Sequence, residues 1–476
     1  MTDLSPLDRL MPRGYIRQML CFPSTHTDVP RLLRTGLAGL MNDVPYLLSG
    51  LIISEDNKKI SLSEAYQSLD DLLSEKDLSD VLNYAVMRGQ NFPPSAFIAP
   101  GIIPPDTQPP YPEPPPVFRA RLSLVKGGFI LCVAVHHCTT DITGFGTLLK
   151  IWASHCRIGA STATGLDSSS LDHGVLLKRA KGSDKTTPTS IPKLLHVRGP
   201  EDFTRLARLA SSASSSSDLV TGIFFFQQKT LLALKRLVNE HIITENATGW
   251  VSSGDVLTAL LWSATLVAEG GPSTPRPGRM ANVEATSTIG FPVNFRSRFH
   301  PPLSPNYLGA AFVMTAATAS REDLLSFARG TGPPSGGELL DHTSISKLGK
   351  IASVIRTSLH GIDEGSVRDV LTYLDKASDD HPPITLGPRH DGISIVSWAD
   401  QDAYGLDWGD VIGKCDSVRL PKLMYKRYPI VLPRITAGVN GEDGGLEVIV
   451  SFDRRILERF ERSWPINRFA TLRCYC

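Results

Sequence analysis

The segment GGFILCVAVHHCTTDITGFG, residues 127–146, restricts the fold of this chain more than any other stretch of its sequence. Residues 129–135 form an unbroken apolar run rich in β-forming side chains, which predicts a strand buried on both faces. After a short polar stretch, apolar residues recur from Ile142 to Trp152 at the spacing of one helix face. The sequence therefore predicts a buried strand that leads directly into an amphipathic helix.

The junction between the strand and the helix carries the residues that are capable of chemistry. Successive strand residues point to opposite faces, so His136 and His137 cannot both serve one site. His137 is nearer to the junction and is the candidate general base, since a neutral imidazole can accept a hydroxyl proton near pH 7. Asp141 either orients that imidazole or turns away and pairs with an arginine, and the sequence leaves both open. A purely structural alternative makes His137 a hydrogen-bonded core histidine and Asp141 only a helix cap. Gly144 leaves the first helical turn without side-chain bulk, so that another group can approach its backbone.

Other site chemistries fit this segment less well. A metal site is not expected, because strand alternation separates His136 from His137 and the sequence has no second tight cluster of Cys and His. Cys138 is predicted to be a buried, inert thiol rather than a nucleophile. The sequence has no GxSxG, GxxxxGK[ST] or GxGxxG motif, so the commonest serine-hydrolase, P-loop and dinucleotide-binding signatures are excluded.

Composition describes an ordinary globular protein. A length of 476 residues suits two domains, and the chain is 41% hydrophobic and 20% charged. A net charge of +1 gives no global electrostatic footprint for nucleic acid or an anionic membrane. The first 17 residues have no apolar signal core, and the seven cysteines are scattered, as expected of reduced thiols. We therefore expect a cytoplasmic protein that binds neither nucleic acid nor membranes.

Two stretches of biased composition divide the chain. Residues 93–116 are dense in proline and are predicted to form an extended, polyproline-like surface excursion. Residues 181–220 contain a serine run and are predicted to link an N-terminal domain, 1–180, to a C-terminal domain, 221–476. In the second domain, strand patterns alternate with helical patterns, which indicates a mixed α/β or α+β architecture. The predicted strands include 222–227, 310–315 and 446–452, and the predicted helices include 231–241 and 347–359.

Several motifs, in order along the chain, resemble those of the BAHD acyltransferases, which transfer an acyl group from coenzyme A to an alcohol or an amine. HHCTTDITG, residues 136–144, is similar to the family signature HHxxxDxxG. NFRSRFHPPLSPNYLGA, residues 294–310, resembles the NxRxRxxPPLxxxYxGN segment, and SWADQDAYGLDWG, residues 397–409, takes the place of the SW and DFGWG elements. The last of these has the form seen in the fungal branch, including the trichothecene 3-O-acetyltransferase-like group.

This resemblance implies an overall organisation. It implies two mixed-sheet domains, each similar to chloramphenicol acetyltransferase, with an active-site channel between them. A segment near 405–424 would cross back to the first domain. The protein would act as a monomer on two small molecules, an acceptor and an acyl-CoA, with acetyl-CoA as the default donor. Acyl-CoA would be a co-substrate, and no cofactor would stay bound.

The resemblance also implies a mechanism. His137 would deprotonate the acceptor, which attacks the thioester directly, so that no acyl-enzyme forms. Asp141 would hold the junction through an ion pair with Arg296 or Arg298. Trp398 would line the acyl site and help to stabilise the oxyanion through its indole N–H, although a core tryptophan is an equally simple interpretation.

Other residues of the motifs are expected to be structural. Trp408 and Gly409 would support the domain packing. Ser252 or Ser253 would lie near the pantetheine arm by resemblance, but Ser252 and Asp255 also have the spacing of a helix capping box.

The chain departs from the family pattern at two positions. Gly405 stands where the first Asp of DFGWG is usual, and Ala310 stands where the Asn of YxGN is usual. These departures are the support for a second hypothesis, a non-catalytic or repurposed binding protein with the same fold. A third hypothesis is a condensation-type enzyme whose donor is attached to a carrier protein.

Overall fold

The fold was obtained as a computed structural model. It describes residues 2–54, 60–98, 101–157, 165–181, 190–197, 219–244, 249–270, 285–330, 339–376, 384–387, 393–421, 423, 425–438 and 443–475. The α-helices are α1 Pro6–Leu10, α2 Val29–Asp43, α3 Leu69–Leu72, α4 Tyr84–Gly89, α5 Ile142–Cys156, α6 Ser168–Leu171, α7 Val175–Lys181, α8 Gln228–Thr244, α9 Ser253–Glu269, α10 Arg321–Arg329, α11 His342–His360, α12 Glu364–Lys376, α13 Arg454–Arg462 and α14 Trp464–Phe469.

The strands of the first half are β1 Thr2–Asp3, β2 Tyr15–Phe22, β3 Leu51–Ile53, β4 Ile60–Leu62, β5 Leu73–Asp77, β6 Phe118–Val125, β7 Gly128–His136 and β8 Leu195–Val197. Those of the second half are β9 Leu219–Gln227, β10 Thr286–Asn294, β11 Phe312–Ser320, β12 Ile384–Leu386, β13 Ile393–Ser394, β14 Val396–Ser397, β15 Ser417–Arg419, β16 Ile430–Val431, β17 Gly445–Asp453 and β18 Thr471–Tyr475.

The first half is built on a five-stranded sheet in the order β15-β2-β7-β6-β5. Its pairs are antiparallel except β5 and β6, which are parallel. The predicted buried strand is β7. All of its residues are buried, because β7 is the central strand of the sheet and both faces of the sheet are covered. The edge strand β15 comes from the second half of the chain, with Val418 opposite Leu20 of β2. Residues Ser417–Arg419 therefore form the edge of the first sheet.

Helices α2 and α5 cover one face of this sheet. Alternate residues of β2 and β7, among them Leu20 and Leu131, form a single apolar cluster with the inner faces of the two helices. Trp152 of α5 fixes the helix pair, because its indole N–H donates a hydrogen bond to the carbonyl of Leu33 at 3.0 Å. This packing holds the start of α5 against the end of β7, where the predicted site lies.

The first part of the proline-dense segment covers the opposite face of the sheet. The prediction of a surface excursion over 93–116 is therefore wrong for this part. Two 3₁₀ turns form, at Pro94–Ile98 and Pro105–Thr107. Phe97 and Ile102 are fully buried against residues of β2 and β7 that point away from α2 and α5. The physical reason is that the second face of a buried sheet needs an apolar cover, and these side chains provide it.

The second half contains a five-stranded sheet in the order β14-β16-β17-β9-β18 and a three-stranded sheet in the order β11-β10-β13. Only Ile395 separates β13 from β14, and it donates a backbone hydrogen bond to Gly290 of β10. Residues 393–397 therefore join the two sheets into one layer. One face of that layer packs on α8, α9 and α11, while Phe225 of β9 points to the first half and joins its apolar cluster.

The predicted linker 181–220 lies mostly outside the described residues. Of its described part, β8 pairs with β12 of the second half, and Leu219 already belongs to β9. The prediction of a mixed α/β architecture with two mixed-sheet halves is confirmed, since each five-stranded sheet contains both parallel and antiparallel pairs. Within the described residues, no helix combines the length and the apolar character that a bilayer crossing requires.

Candidate active site

His137 lies just beyond β7, in a 3₁₀ turn that runs from His137 to Thr139. Its backbone N–H donates to the carbonyl of Gly14 at 2.7 Å. Its ring Nδ1 lies 3.1 Å from the carbonyl oxygen of Thr140. Because a carbonyl oxygen can only accept, Nδ1 must carry the hydrogen, and Nε2 keeps its lone pair. The turn thus selects the tautomer that can act as a base at Nε2.

The His137 ring lies at the boundary between the two halves. It is half-buried, and its centroid is 6.4 Å from that of Phe312, the first residue of β11. Burial lowers the pKa of His137 below its usual 6.5, although the negative charge of Asp141 acts in the opposite direction. The imidazole is therefore neutral at pH 7.

His136 has a separate environment. Its Nδ1 accepts a hydrogen bond from the backbone N–H of Cys138 at 3.3 Å, and its ring meets the edge of Tyr15 at 5.0 Å. Burial lowers its pKa to about 3. His136 and His137 therefore lie in different environments, and His136 is part of the core.

The carboxylate of Asp141 is bound by both halves of the molecule. It caps α5 by accepting from the N–H groups of Thr143 and Gly144 at 3.0 and 2.9 Å. Both oxygens accept from the guanidinium of Arg296, at 2.8 and 2.9 Å, and one also accepts from the N–H of Ala311 at 2.9 Å. Of the two alternatives that the sequence left open, the structure places Asp141 on an arginine and not on His137.

Arg296 and Arg298 have different partners, although both were candidates for this ion pair. Arg296 is buried, and besides Asp141 it donates to the carbonyls of Tyr307 and Gly309, each at 2.9 Å. Arg298 instead donates to the carbonyl of Ile362. Of the two arginines, Arg296 is therefore the one that ties the second half to the start of α5.

Gly144 lies where this helix packs closely against the second half. A Cβ atom there would lie 2.3 Å from the carbonyl oxygen of Leu308 and 2.4 Å from the hydroxyl of Thr140. Backbone cannot yield by that much, so a side chain at this position would separate Asp141 from its partners. The glycine of the signature is required by packing.

The thiol and metal chemistries gain no support. Burial raises the pKa of Cys138 to about 11, and its Sγ accepts a hydrogen bond from Arg13 at 3.1 Å. Among the residues that the structure describes, no three His, Cys, Asp or Glu side chains converge as a metal site, and the six described cysteines are free thiols.

Trp398 lies one residue beyond β14, on the face of the second sheet that is turned to the first half. It is partly buried and packs on an apolar cluster that includes Ile223 and Ile449. Its backbone N–H donates to the carbonyl of Val431 at 2.8 Å. The second sheet therefore positions Trp398, while the first sheet positions His137.

Trp408 and Gly409 lie in the core of the first half. Trp408 is 1% exposed and makes edge contacts with Phe22 and Trp152 at 5.7 Å each. Gly409 has a φ of +92°, a conformation that side chains other than glycine rarely adopt.

Ser252 is the N-cap of α9 and Ser253 is its first residue. The Ser252 hydroxyl accepts from the N–H of Asp255 at 3.2 Å, and the Asp255 carboxylate accepts from the N–H of Ser252 at 2.7 Å. Arg356 also binds this carboxylate and stacks over the ring of Trp250 at 4.2 Å. The described contacts are those of a capping box.

Comparison with known proteins identifies the family. A model of the Transferase family, the BAHD acyltransferases, matches residues 2–331. The chain belongs to this family. It is similar to O-acetyltransferase anaAT of Neosartorya fischeri, with 27% identity over 88% of this chain and 87% of that protein. It is also similar to communesin N16 acyltransferase cnsK of Penicillium expansum, with 26% identity over 90% and 89% of the two chains.

A solved structure has the same fold. TRI101 of F. sporotrichioides, crystallised with coenzyme A and T-2, matches with a TM-score of 0.75 and 21% identity over 99% of both chains. The prediction that this chain is an acyltransferase of the BAHD family is therefore confirmed.

The two departures from the BAHD pattern have local explanations. At Gly405, a Cβ would lie 2.3 Å from a carboxylate oxygen of Asp402, and that carboxylate accepts from the Gly405 N–H at 3.0 Å. A carboxylate is therefore present at this turn, supplied from three residues earlier. At Ala310, the side chain is fully buried in the apolar cluster of the first half, where a methyl group fits without polar partners.

Two contacts between distant parts of the chain were missed from the sequence. Asp8 and His173 form a buried pair with 2.7 Å between Oδ2 and Nδ1, and the other Asp8 oxygen accepts from the N–H of Ala310 at 2.9 Å. Asp8 and Asp141 thus accept hydrogen bonds from two consecutive backbone N–H groups, those of Ala310 and Ala311. Ser5 and Asp8 form a capping box at the start of α1, but no local signal links Asp8 to His173. The second missed contact joins Gln18 to Gln401.

Proposed function

We propose that this acyltransferase moves an acetyl group from acetyl-CoA to a hydroxyl or amine of a secondary metabolite, with His137 as general base. The observation that carries the proposal is the hydrogen bond between Nδ1 of His137 and the Thr140 carbonyl. It leaves the Nε2 lone pair available, on a ring whose pKa is held below its usual value by burial.

The reaction needs no covalent enzyme intermediate. Nε2 of His137 removes the acceptor proton while the acceptor oxygen or nitrogen forms a bond to the thioester carbonyl carbon. The tetrahedral intermediate then collapses, the carbon–sulfur bond breaks, and the proton on Nε2 passes to the leaving thiolate. The products are the ester or amide and free CoA. A general base in this position contributes about 10²–10⁴-fold to the rate.

Two other groups have proposed roles at this step. Trp398 lines the acyl site and donates its indole N–H to the oxyanion, which fits its position on the sheet face turned to the first half. Asp141 is not a proton carrier, since its oxygens are occupied by Arg296 and backbone amides. Its role is to hold the junction that presents His137.

The place of the CoA arm is proposed by resemblance. The pantetheine would pass near Ser252 and Ser253, at the start of α9. Arg298 and Arg356 lie close enough for the charge of Arg356 to lower the pKa of Arg298, after burial as the larger cause. Two neighbouring guanidinium groups favour the phosphates of CoA.

The donor and acceptor classes are taken from relatives. Two proteins of similar sequence are named as an O-acetyltransferase and as a communesin N16 acyltransferase. TRI101, which has the same fold, was crystallised with coenzyme A. We propose that the protein works as a monomer in the cytoplasm, where its free thiols stay reduced. A non-catalytic binding protein is not favoured, because the base and its turn are intact. A carrier-dependent enzyme is not favoured, because TRI101, which has the same fold, was crystallised with coenzyme A.

The first experiment is calorimetric titration of acetyl-CoA and CoA into the wild-type protein and His137→Ala. We expect both proteins to bind the two ligands with similar affinity. Thiol release from acetyl-CoA is then followed with a panel of hydroxylated and amine-bearing secondary metabolites. Only the wild type should show turnover. Failure of the folded wild type to bind CoA, or equal turnover by His137→Ala, would overturn the proposal.

A further inference from the structure

A pair of glutamine side chains joins the two halves beside the proposed site. The amide Nε2 of Gln18 donates to Oε1 of Gln401 at 2.5 Å, and Nε2 of Gln401 donates back to Oε1 of Gln18 at 3.0 Å. Gln18 is fully buried. A buried polar side chain inside an apolar layer is costly unless it is hydrogen-bonded, so each carboxamide depends on the other.

Gln18 lies in the same sheet as the strand that leads to His137. Gln18 lies on β2 opposite Val133 of β7, four residues before His137. The Gln401 side chain lies over the first turns of α5, where a Cβ at Gly146 would be 3.1 Å from its Cγ. The glutamine pair therefore rests on the same strand and helix that form the His137 junction.

The Gln401 end belongs to the turn that carries Trp398. The backbone N–H of Gln401 donates to the carbonyl of Trp398 at 3.0 Å, and Trp398 donates to Val431 of the second sheet at 2.8 Å. This short turn is thus fixed on the second sheet at its start and on the first sheet at its end. The contact between Gln18 and Gln401 closes the link between the two.

We propose that Gln18 and Gln401 are positioning residues that set the separation between His137 and the indole of Trp398. The inference rests on the proposed function. His137 and Trp398 are carried by different sheets, so their relative position depends on contacts that bridge the halves next to both. A shift of about 1 Å in such a geometry can lower a rate by about 100-fold.

The test uses the full-length protein with acetyl-CoA and the acceptor found in the metabolite panel. Gln401→Met and Gln18→Met keep the side-chain length but remove the amide pair. We expect each to lower kcat by about tenfold or more, with the Kd for CoA within about twofold of wild type. The double variant should lose no more than either single variant, because the same contact is lost. Gly146→Ala displaces Gln401 without removing a polar group and should lower kcat in the same direction.

A second readout separates positioning from a general loss of structure. In a Trp398→Phe background, Gln401→Met should change kcat by less than about twofold, since the group that it positions is already absent. A loss of the same size in both backgrounds, or a single variant that keeps wild-type kcat, would overturn the inference. Asp400→Asn, an exposed neighbour in the same turn, is the matched control. An inactive wild-type protein would instead refute the proposed function.

Discussion

Replacement of Arg296 by alanine tests whether the Asp141 ion pair holds the catalytic junction together. Both side chains of the pair are nearly buried, with 6% and 5% of their surface exposed. The replacement removes two charged hydrogen bonds to Asp141 and three to the carbonyls of Tyr307 and Gly309. Removing one partner of a buried ion pair costs about 3–5 kcal/mol, because the other charge stays buried without compensation.

Arg298→Ala is the matched control, since it removes the same side-chain type two residues further along the chain. Arg298 is only partly buried and donates to a single carbonyl, that of Ile362. The loss of one hydrogen bond of this kind costs about 1–2 kcal/mol. The two variants should therefore differ in unfolding free energy by about 2–3 kcal/mol.

The assay is urea unfolding at pH 7, followed by tryptophan fluorescence, to which the buried Trp152 and Trp408 of the first half and Trp262 of the second half contribute. Thiol release from acetyl-CoA gives the activity of each variant at urea concentrations where it is folded. Arg296→Ala should lose activity by about 100-fold although Arg296 contacts neither His137 nor Trp398 in the described contacts, because Asp141 and its turn are displaced. If the two arginine variants unfold within about 1 kcal/mol of each other, the ion pair does not hold the junction.

Three further predictions follow from charge and burial. The acidic midpoint of the pH profile of kcat/KM should lie below pH 6.5, since burial lowers the pKa of His137 and only the neutral base is active. An acidic midpoint above pH 7 would contradict this. The wild type should lose about 2 kcal/mol more stability than His136→Gln between pH 6.5 and 4.5 in urea unfolding, because the unfolded chain takes up a proton at the usual pKa of about 6.5 while folded His136 has a pKa of about 3; equal losses would refute it. Glu447→Ala should lower the unfolding free energy by about 3–5 kcal/mol, since it strands Arg419, which binds Glu447 at 2.5 and 3.1 Å in a buried pair; a calorimetric melting temperature that matches wild type would argue against this.

Local patterns were sufficient for the elements around the site. The apolar run before His136 predicted β7 to within one residue at each end, and the helical spacing after Asp141 predicted the first residue of α5 but ended four residues short of Cys156. This was possible because strand and helix periodicity is a property of neighbouring residues. The Proline-dense segment was misjudged for the opposite reason. Its local composition favours extended structure, whereas the buried state of Phe97 depends on a sheet face built elsewhere in the chain.

The sequence by itself therefore determined the base candidate, the capping carboxylate, the family and the mixed architecture, since each is written in contiguous motifs. Only the tertiary structure decided that Asp141 pairs with Arg296 rather than Arg298, that Asp8 pairs with His173, and that Gln18 meets Gln401. These partners lie 155, 165 and 383 residues apart in the chain. At such separations, sequence spacing carries no information about distance, and the path of the two sheets alone brings the groups within hydrogen-bonding range.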